Sequence, residues 1–327
     1  MRALQVFVLA LAVLWGGYWF VGSRAVERGV SAWFDAQSQR GLVAERDSLS
    51  VQGFPSRFDL TIDGLRLGDP ATGIEWTAPF VQVFSLSYKP WHLIAAFAPE
   101  QHITTPLEDI AIMSGKLQGS LVVTPGTALT LERTTIVGDT LSVASTAGWE
   151  VSARTFRFAS RRTDDVGRKH EIGIEALEIA PNATFLAALP DLPAAIDRLH
   201  LDAVLSFGTP LDRYAGEIRP GLVGIDLKTA SVVWGDMEVL GSGQLTADPN
   251  GLAEGRINLH LTNWRKLIPV CVALGWITAE VAPTWENMFG ALAAQSGDPK
   301  NLDLPLTFRN GRMSVGPLPL GKAPRLN

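Results

Sequence analysis

A single cysteine, Cys271, in 327 residues excludes a disulfide framework in any compartment. It lies in the run LIPVCVAL, where a thiol is expected to be buried and apolar-like and not nucleophilic, since reactivity needs an exposed, electropositive setting. Histidine is scarce too. His92, His102, His170, His200 and His260 are scattered, none at HExxH, HxH or Cys–His spacing, so each reads as a polar-face or loop residue and no metal site is expected. No GxSxG elbow, P-loop or dinucleotide fingerprint is present, so neither catalytic nor cofactor-binding residues can be named. Asp63, Asp69 and Glu75 lie close in sequence but lack the dense, alternating oxygen ligands of a Ca²⁺ loop. Charge is sparse, at 19% of residues, and the net value of -5 carries no basic stripe, which excludes nucleic acid as an expected partner. Arg161, Arg162, Arg168 and Lys169 do cluster, but Asp164, Asp165 and Gly167 sit among them, as in a solvated loop between strands.

What the chain does have begins at its first residues. From Ala3 to Val21 only Gln5 is clearly polar, and nineteen helical residues rise about 28 Å, close to the hydrocarbon thickness of a bilayer. Trp15, Tyr18 and Trp19 gather at the end of this run, where amphipathic rings favour the headgroup region, and Arg24 and Arg28 follow. A cleaved signal peptide is the competing reading, with Ser23 and Ala25 as small residues before a cut. The run exceeds a signal core in length and carries aromatics beside that site, so residues 1–22 are read as an uncleaved transmembrane anchor. Arg2 before the span nearly balances Arg24 and Arg28 after it, with Glu27 between them, so the positive-inside count does not orient the chain. A two-residue tail left in the cytoplasm while a long domain is exported gives a single-pass inner-membrane protein with its bulk in the periplasm. Residues 23–41 continue as a juxtamembrane helix through Val26, Val30, Trp33, Phe34 and Gln37, and Gly41 stops it.

After Gly41 the texture changes to short alternating runs. In SVQGFPSRFDLTIDGLRLGDP, from Ser50 to Pro70, Phe58, Leu60 and Ile62 alternate with polar residues, Gly64 intervenes, and the apolar positions become Leu65 and Leu67. The period of two predicts a strand with one apolar face, the turn Gly53-Phe54-Pro55 feeds it, and Gly64 marks a bulge or bend where the apolar face changes. Similar runs recur at 117–123, 149–158, 172–179, 201–207, 257–262 and 304–308. Helices are predicted within Pro181–Ala195, from an N-cap at Asn263 to Gly275, and over residues 281–295; the ten apolar residues from Ile268 to Ile277 contain Pro269 and read as a buried helix, not a second span. The fold class is therefore mainly β, a β-rich α+β protein with large twisted, mostly antiparallel sheets and a few helices on part of one face, behind an N-terminal transmembrane helix. Residues 42–327 form the β-rich periplasmic domain, with two halves expected to meet near 181–198.

The anchor, the GFP turn at Gly53–Pro55, the stretch LGSGQLTADPNGLAEGRINLHLTNW at Leu240–Trp264 and the ending NGRMSVGPLPLGKAP at Asn310–Pro324 together resemble the bacterial family called domain of unknown function 2125. That family is similar in strand-and-glycine pattern to AsmA-like periplasmic proteins. The resemblance covers nearly the whole chain through structural turns, supplies no catalytic residue, and implies a membrane-anchored envelope protein with an AsmA-like part in lipid handling or outer-membrane assembly. Three readings of function follow. The first is a non-enzymatic protein that contacts lipid, or another apolar envelope component, through an uncovered apolar sheet face. Its candidate residues are Leu201, Leu205, Phe207, Ile257, Leu259 and Leu261, from the cleanest two-period runs. The second is a scaffold or interaction module in which its own helices cover that face and envelope proteins bind elsewhere. The third, and least, is an enzyme whose residues meet only in the fold. The expected partners are the inner membrane, lipid and envelope proteins.

Overall fold

A computed structural model describes residues 1–216, 219–295, 297–315 and 318–326. The apolar run and the juxtamembrane stretch that continues it form one unbroken helix, α1 (Arg2–Gln39). Nothing at Val21-Gly22-Ser23 interrupts the backbone ladder, since one interior glycine costs a helix only about 1 kcal/mol. The chain divides into two compact units, the first made of Met1–Val123 and Ile136–Glu150, the second of Thr124–Thr135 and Val151–Asn327.

In the first unit β1 (Val43–Glu45) and β2 (Ser48–Gln52) pair along one side of β3 (Arg57–Asp69), and β4 (Ile74–Leu86) pairs along the other. β5 (Lys89–Phe97) and β6 (Glu100–Thr104) follow one another along β4 and both pair with β7 (Asp109–Val123), all antiparallel. The phase change in β3 is real, but no residue is inserted to make it. Ser48↔Asp63 and Glu45↔Arg66 keep one register on one side, and Asp63↔Phe80 and Leu65↔Ala78 keep one on the other. Gly64 alone turns the backbone, at φ +58°, a left-handed conformation that favours glycine, and a Cβ there would displace the Asp47 carboxylate that lies against it. Leu60, Ile62 and Leu65 consequently enter one core with Ala78 and Val81. Phe34 of α1 joins that core at 2% exposure, so the helix is part of the unit's packing.

β8 (Leu131–Ser145) contributes residues 131–135 to the second unit and 136–145 to the first. The second unit is otherwise an antiparallel meander in chain order, through β9 (Glu150–Arg162), β10 (Lys169–Pro181), β11 (Ile196–Phe207), β12 (Leu222–Trp234), β13 (Met237–Ala247), β14 (Ala253–Thr262), β15 (Asn301–Arg309), β16 (Arg312–Val315) and β17 (Leu318–Lys322). The short helix α2 (Ala183–Ala187) joins β10 to β11, with the Asn182 side chain accepting from the Phe185 N–H at 2.8 Å as a helix cap. The segment 181–198, expected between two halves, instead lies inside this unit. Its proline-rich sequence is the connection between two paired antiparallel strands, and its Leu186, Leu189 and Leu192 pack with Trp234, Met237 and Val270. Between β14 and β15 come α3 (Leu267–Ala273) and α4 (Ala282–Gln295). α3 starts through a tight turn at Trp264–Lys266 and not through an Asn263 cap; Asn263 adopts φ +52° and donates from Nδ2 to the Asp236 carbonyl at 2.7 Å.

Candidate functional site

Directly opposed residues in an antiparallel ladder share a face of the sheet, so the register shows which side chains are neighbours. Across the second unit, Phe158, Ile174, Leu201, Ala230, Gly241, Leu259 and Leu304 oppose one another in turn from β9 to β15. One step along, Ala203, Leu227, Gly243, Ile257 and Leu306 make a second row, and Leu205, Ile225 and Leu245 begin a third. The bulge at Lys228–Thr229, opposite Asp202, leaves Leu227 and Ala230 on this same side. All six residues named from sequence, Leu201, Leu205, Phe207, Ile257, Leu259 and Leu261, therefore lie on one apolar face. The other face is polar and charged: Arg161 pairs with Glu171 and Arg198 with Glu175 at 3.0 Å, and the His260 Nδ1 lies 2.7 Å from an Asp303 carboxylate oxygen. Such exposed pairs contribute about 0–1 kcal/mol each and mark the face turned to water.

The apolar face is covered unevenly. Leu261, 2% exposed, lies in a core with Trp264, Ile268, Ala293, Leu302 and Leu304, closed by the Phe289 ring edge-on to Trp264 at 5.9 Å. Ile257, 8% exposed, packs with Leu245, Ala253, Phe308 and Ala323, where the C-terminal segment crosses. Leu259 is half-buried between these two clusters. Leu201, Leu205 and Phe207 are half-buried, as are Phe158, Ile172, Ile174, Ile225 and Leu227 around them. Helices and chain end thus close the face at β14 and β15, while across β9 to β12 the larger side chains Phe158, Ile174, Leu201, Leu205, Phe207 and Ile225 stay partly accessible around a buried Ala203.

One residue of this face escaped the sequence reading. His170, taken for a polar-face or loop residue, is only 1% exposed in β10, directly opposite Leu205 and edge-on to Phe207 at 6.4 Å. Its Nδ1 meets the Ser160 hydroxyl at 3.2 Å, and burial holds its pKa below the ordinary imidazole value, against the pull of the Asp164 carboxylate. The signal was legible in the alternation, because His170 has the parity of Ile172 and Ile174. Cys271 is half-buried, and burial pushes its thiol pKa up. Among the described residues no three His, Cys, Asp or Glu side chains converge as a metal-binding group. The turn residues Gly53, Phe54 and Pro55 lead into β3 through a cis Phe54–Pro55 bond, with the Arg57 N–H donating to the Gly53 carbonyl at 2.9 Å.

The family model for uncharacterized proteins conserved in bacteria, DUF2125, matches residues 19–324. The chain belongs to this family. The match takes in every strand of both units and the part of α1 that carries Phe34. Neither the curated proteins nor the solved structures contain a match to the chain.

Proposed function

We propose that this DUF2125 protein is a non-enzymatic envelope protein, held by α1 in the inner membrane with both units in the periplasm. It takes up acyl chains of lipid, or another apolar envelope component, on the β9–β12 part of the apolar face, an AsmA-like part. The anchor reading is supported by an 18-residue window of mean hydropathy 1.9 in α1, none of it buried, and by exposed Leu4, Phe7, Leu9 and Leu14. The observation that carries the lipid reading is the half-burial of Leu201, Leu205 and Phe207 on a face whose other end is closed. An acyl chain laid there gains about 0.8 kcal/mol for each CH₂ taken from water, provided the apolar surface can be reached without unfolding. The scaffold reading draws on Ile257 and Leu261, which are core residues and offer nothing to a ligand.

A photo-crosslinking side chain placed at Leu201 or Leu205 in the full chain, in native membranes, separates the two. Lipid adducts at these positions, with none from the charged-face position Arg198, are the expected result. Adducts only to protein at Leu201 and Leu205 would leave the scaffold standing.

A further inference from the structure

Two turns of the first unit are bound to α1 inside its apolar run. The Trp15 Nε1–H donates to the Pro55 carbonyl at 2.9 Å, the Trp19 Nε1–H to the Arg57 carbonyl at 2.7 Å and the Tyr18 hydroxyl to the Ser87 carbonyl at 2.5 Å. Residues 53–56 and the β4–β5 turn at Ser87–Tyr88 are also tied together, through Ser87 N–H to the Ser56 carbonyl at 2.9 Å. Helix and turns approach closely at Gly22, where an added Cβ would fall 2.6 Å from the Phe58 ring, and Trp19 packs edge-on to Phe54 at 5.4 Å. The helix passes these turns with its other side still apolar, as Phe20 at 59% and Val21 at 66% exposure show.

The lengths do not fit a domain that stands clear of the bilayer. From Arg2 to Leu14, before the first docked residue, α1 rises about 20 Å, whereas the hydrocarbon core is about 30 Å thick. About 10 Å more of the helix must lie in the apolar region, and residues 15–21 supply it with the two turns alongside. Backbone in that region requires partners for its polar groups, since each one left unmatched costs several kcal/mol. The three aromatic donors of α1 satisfy the carbonyls of Pro55, Arg57 and Ser87, and the carbonyls of Gly53 and Ser56 are taken by Arg57 N–H and Ser87 N–H. At the tips Phe54 is 63% and Tyr88 60% exposed, an apolar ring and an amphipathic one beside a helix that already bears Trp15 and Tyr18. Arg57, 57% exposed, has its guanidinium held 2.7 Å from the Asp59 carboxylate, so the charge next to the turns is paired.

We infer that the turns at Gly53–Ser56 and Ser87–Tyr88 form a second membrane contact, with Phe54 and Tyr88 inserted into the lipid leaflet beside the helix. The inference rests on the anchor reading and adds that the first unit is partly immersed. Single cysteines at Val8, Phe54, Tyr88 and Leu107, in the full chain carrying Cys271→Ser, are labelled with an environment-sensitive fluorophore and placed in vesicles of phosphatidylethanolamine and phosphatidylglycerol. Brominated acyl chains should quench the labels at 8, 54 and 88 and shift them to the blue, and leave the label at Leu107, a 93% exposed loop residue, unchanged. Quenching at 8 with 54 and 88 behaving like 107 would overturn the immersion and keep the anchor. No quenching at 8 would remove the anchor itself, and the second contact with it. Two separate tip positions guard against one substitution disturbing its own turn.

Discussion

In the first unit the apolar residues of β3 and β4 meet a helix that belongs to the same unit and lays Phe34 into their core. In the second, the cover comes from α2, α3, α4 and the C-terminal segment and buries Trp234, Leu261, Leu302 and Leu304, while Leu201, Leu205, Phe207, Ile225 and Leu227 of β11 and β12 are only half-buried. Both units are built from the same alternation of apolar and polar residues, so the pattern along a strand does not decide whether its face becomes core or contact surface. What decides is which segments elsewhere in the chain are brought across it. The C-terminal turns of α1 supply Val30 and Phe34 to the first unit, and helices of 7 and 14 residues with the chain end serve the meander of the second.

The largest effect should come from a charge at the closed end. Leu261→Glu places an ion among Trp264, Ile268 and Leu302 with no partner, and a loss of about 5 kcal/mol, or failure to fold, is expected in denaturant unfolding of the full chain in detergent. Leu201→Glu, on the same face but half-buried, should cost no more than about 1 kcal/mol; equal losses at the two positions would erase the distinction between closed and accessible ends. Phe34→Ala tests the first unit's cover. Removing a ring that is 2% exposed and carries the Arg46 guanidinium at 4.4 Å should destabilise by about 3 kcal/mol, and it should act on the first unit alone if the two unfold separately.

The smallest effect is one of pH. Burial lowers the pKa of His170 in the folded chain, so between the folded and the unfolded value the unfolded state holds more protons, and stability rises with pH in that window. The contribution is present in full above the ordinary imidazole value of about 6.5 and is lost as pH falls through the lower folded value. Arg162 opposes protonation further, while Asp164 and Glu132 favour it. The thermal unfolding midpoint should therefore fall from neutral pH into the acid range, and His170→Gln should flatten that fall.

Much of this architecture is legible in the strands themselves. The runs at Leu201–Phe207 and Ile257–Leu261 announce a shared apolar parity, and the register places them on one face because β11 to β14 pair in chain order. The helix at Ala282–Gln295 was equally readable from its residues. Which half of the face is covered was not, because it depends on Trp285 and Phe289 of α4 packing onto Trp264 and the Leu261 end of β14, more than twenty residues before them. The continuation of the helix past residue 22 was readable from Val26, Val30, Trp33, Phe34 and Gln37. Composition changes near residue 22, from apolar to mixed, but the backbone does not respond to that change; the partner of each helix face does. His170 was judged by its residue type when its position in the alternation carried the better information.

The unbroken run of α1 has a mechanical consequence. A glycine-rich tether between span and domain would let the domain swivel freely, whereas this helix continues from the apolar run to Phe34 without a joint, so span and first unit turn as one piece. With α1 as the anchor, any change in the tilt of the span, which averages about 20° for membrane helices and grows when the bilayer thins, becomes an equal rotation of the first unit's sheet. The heading of that sheet is then a readout of local bilayer thickness.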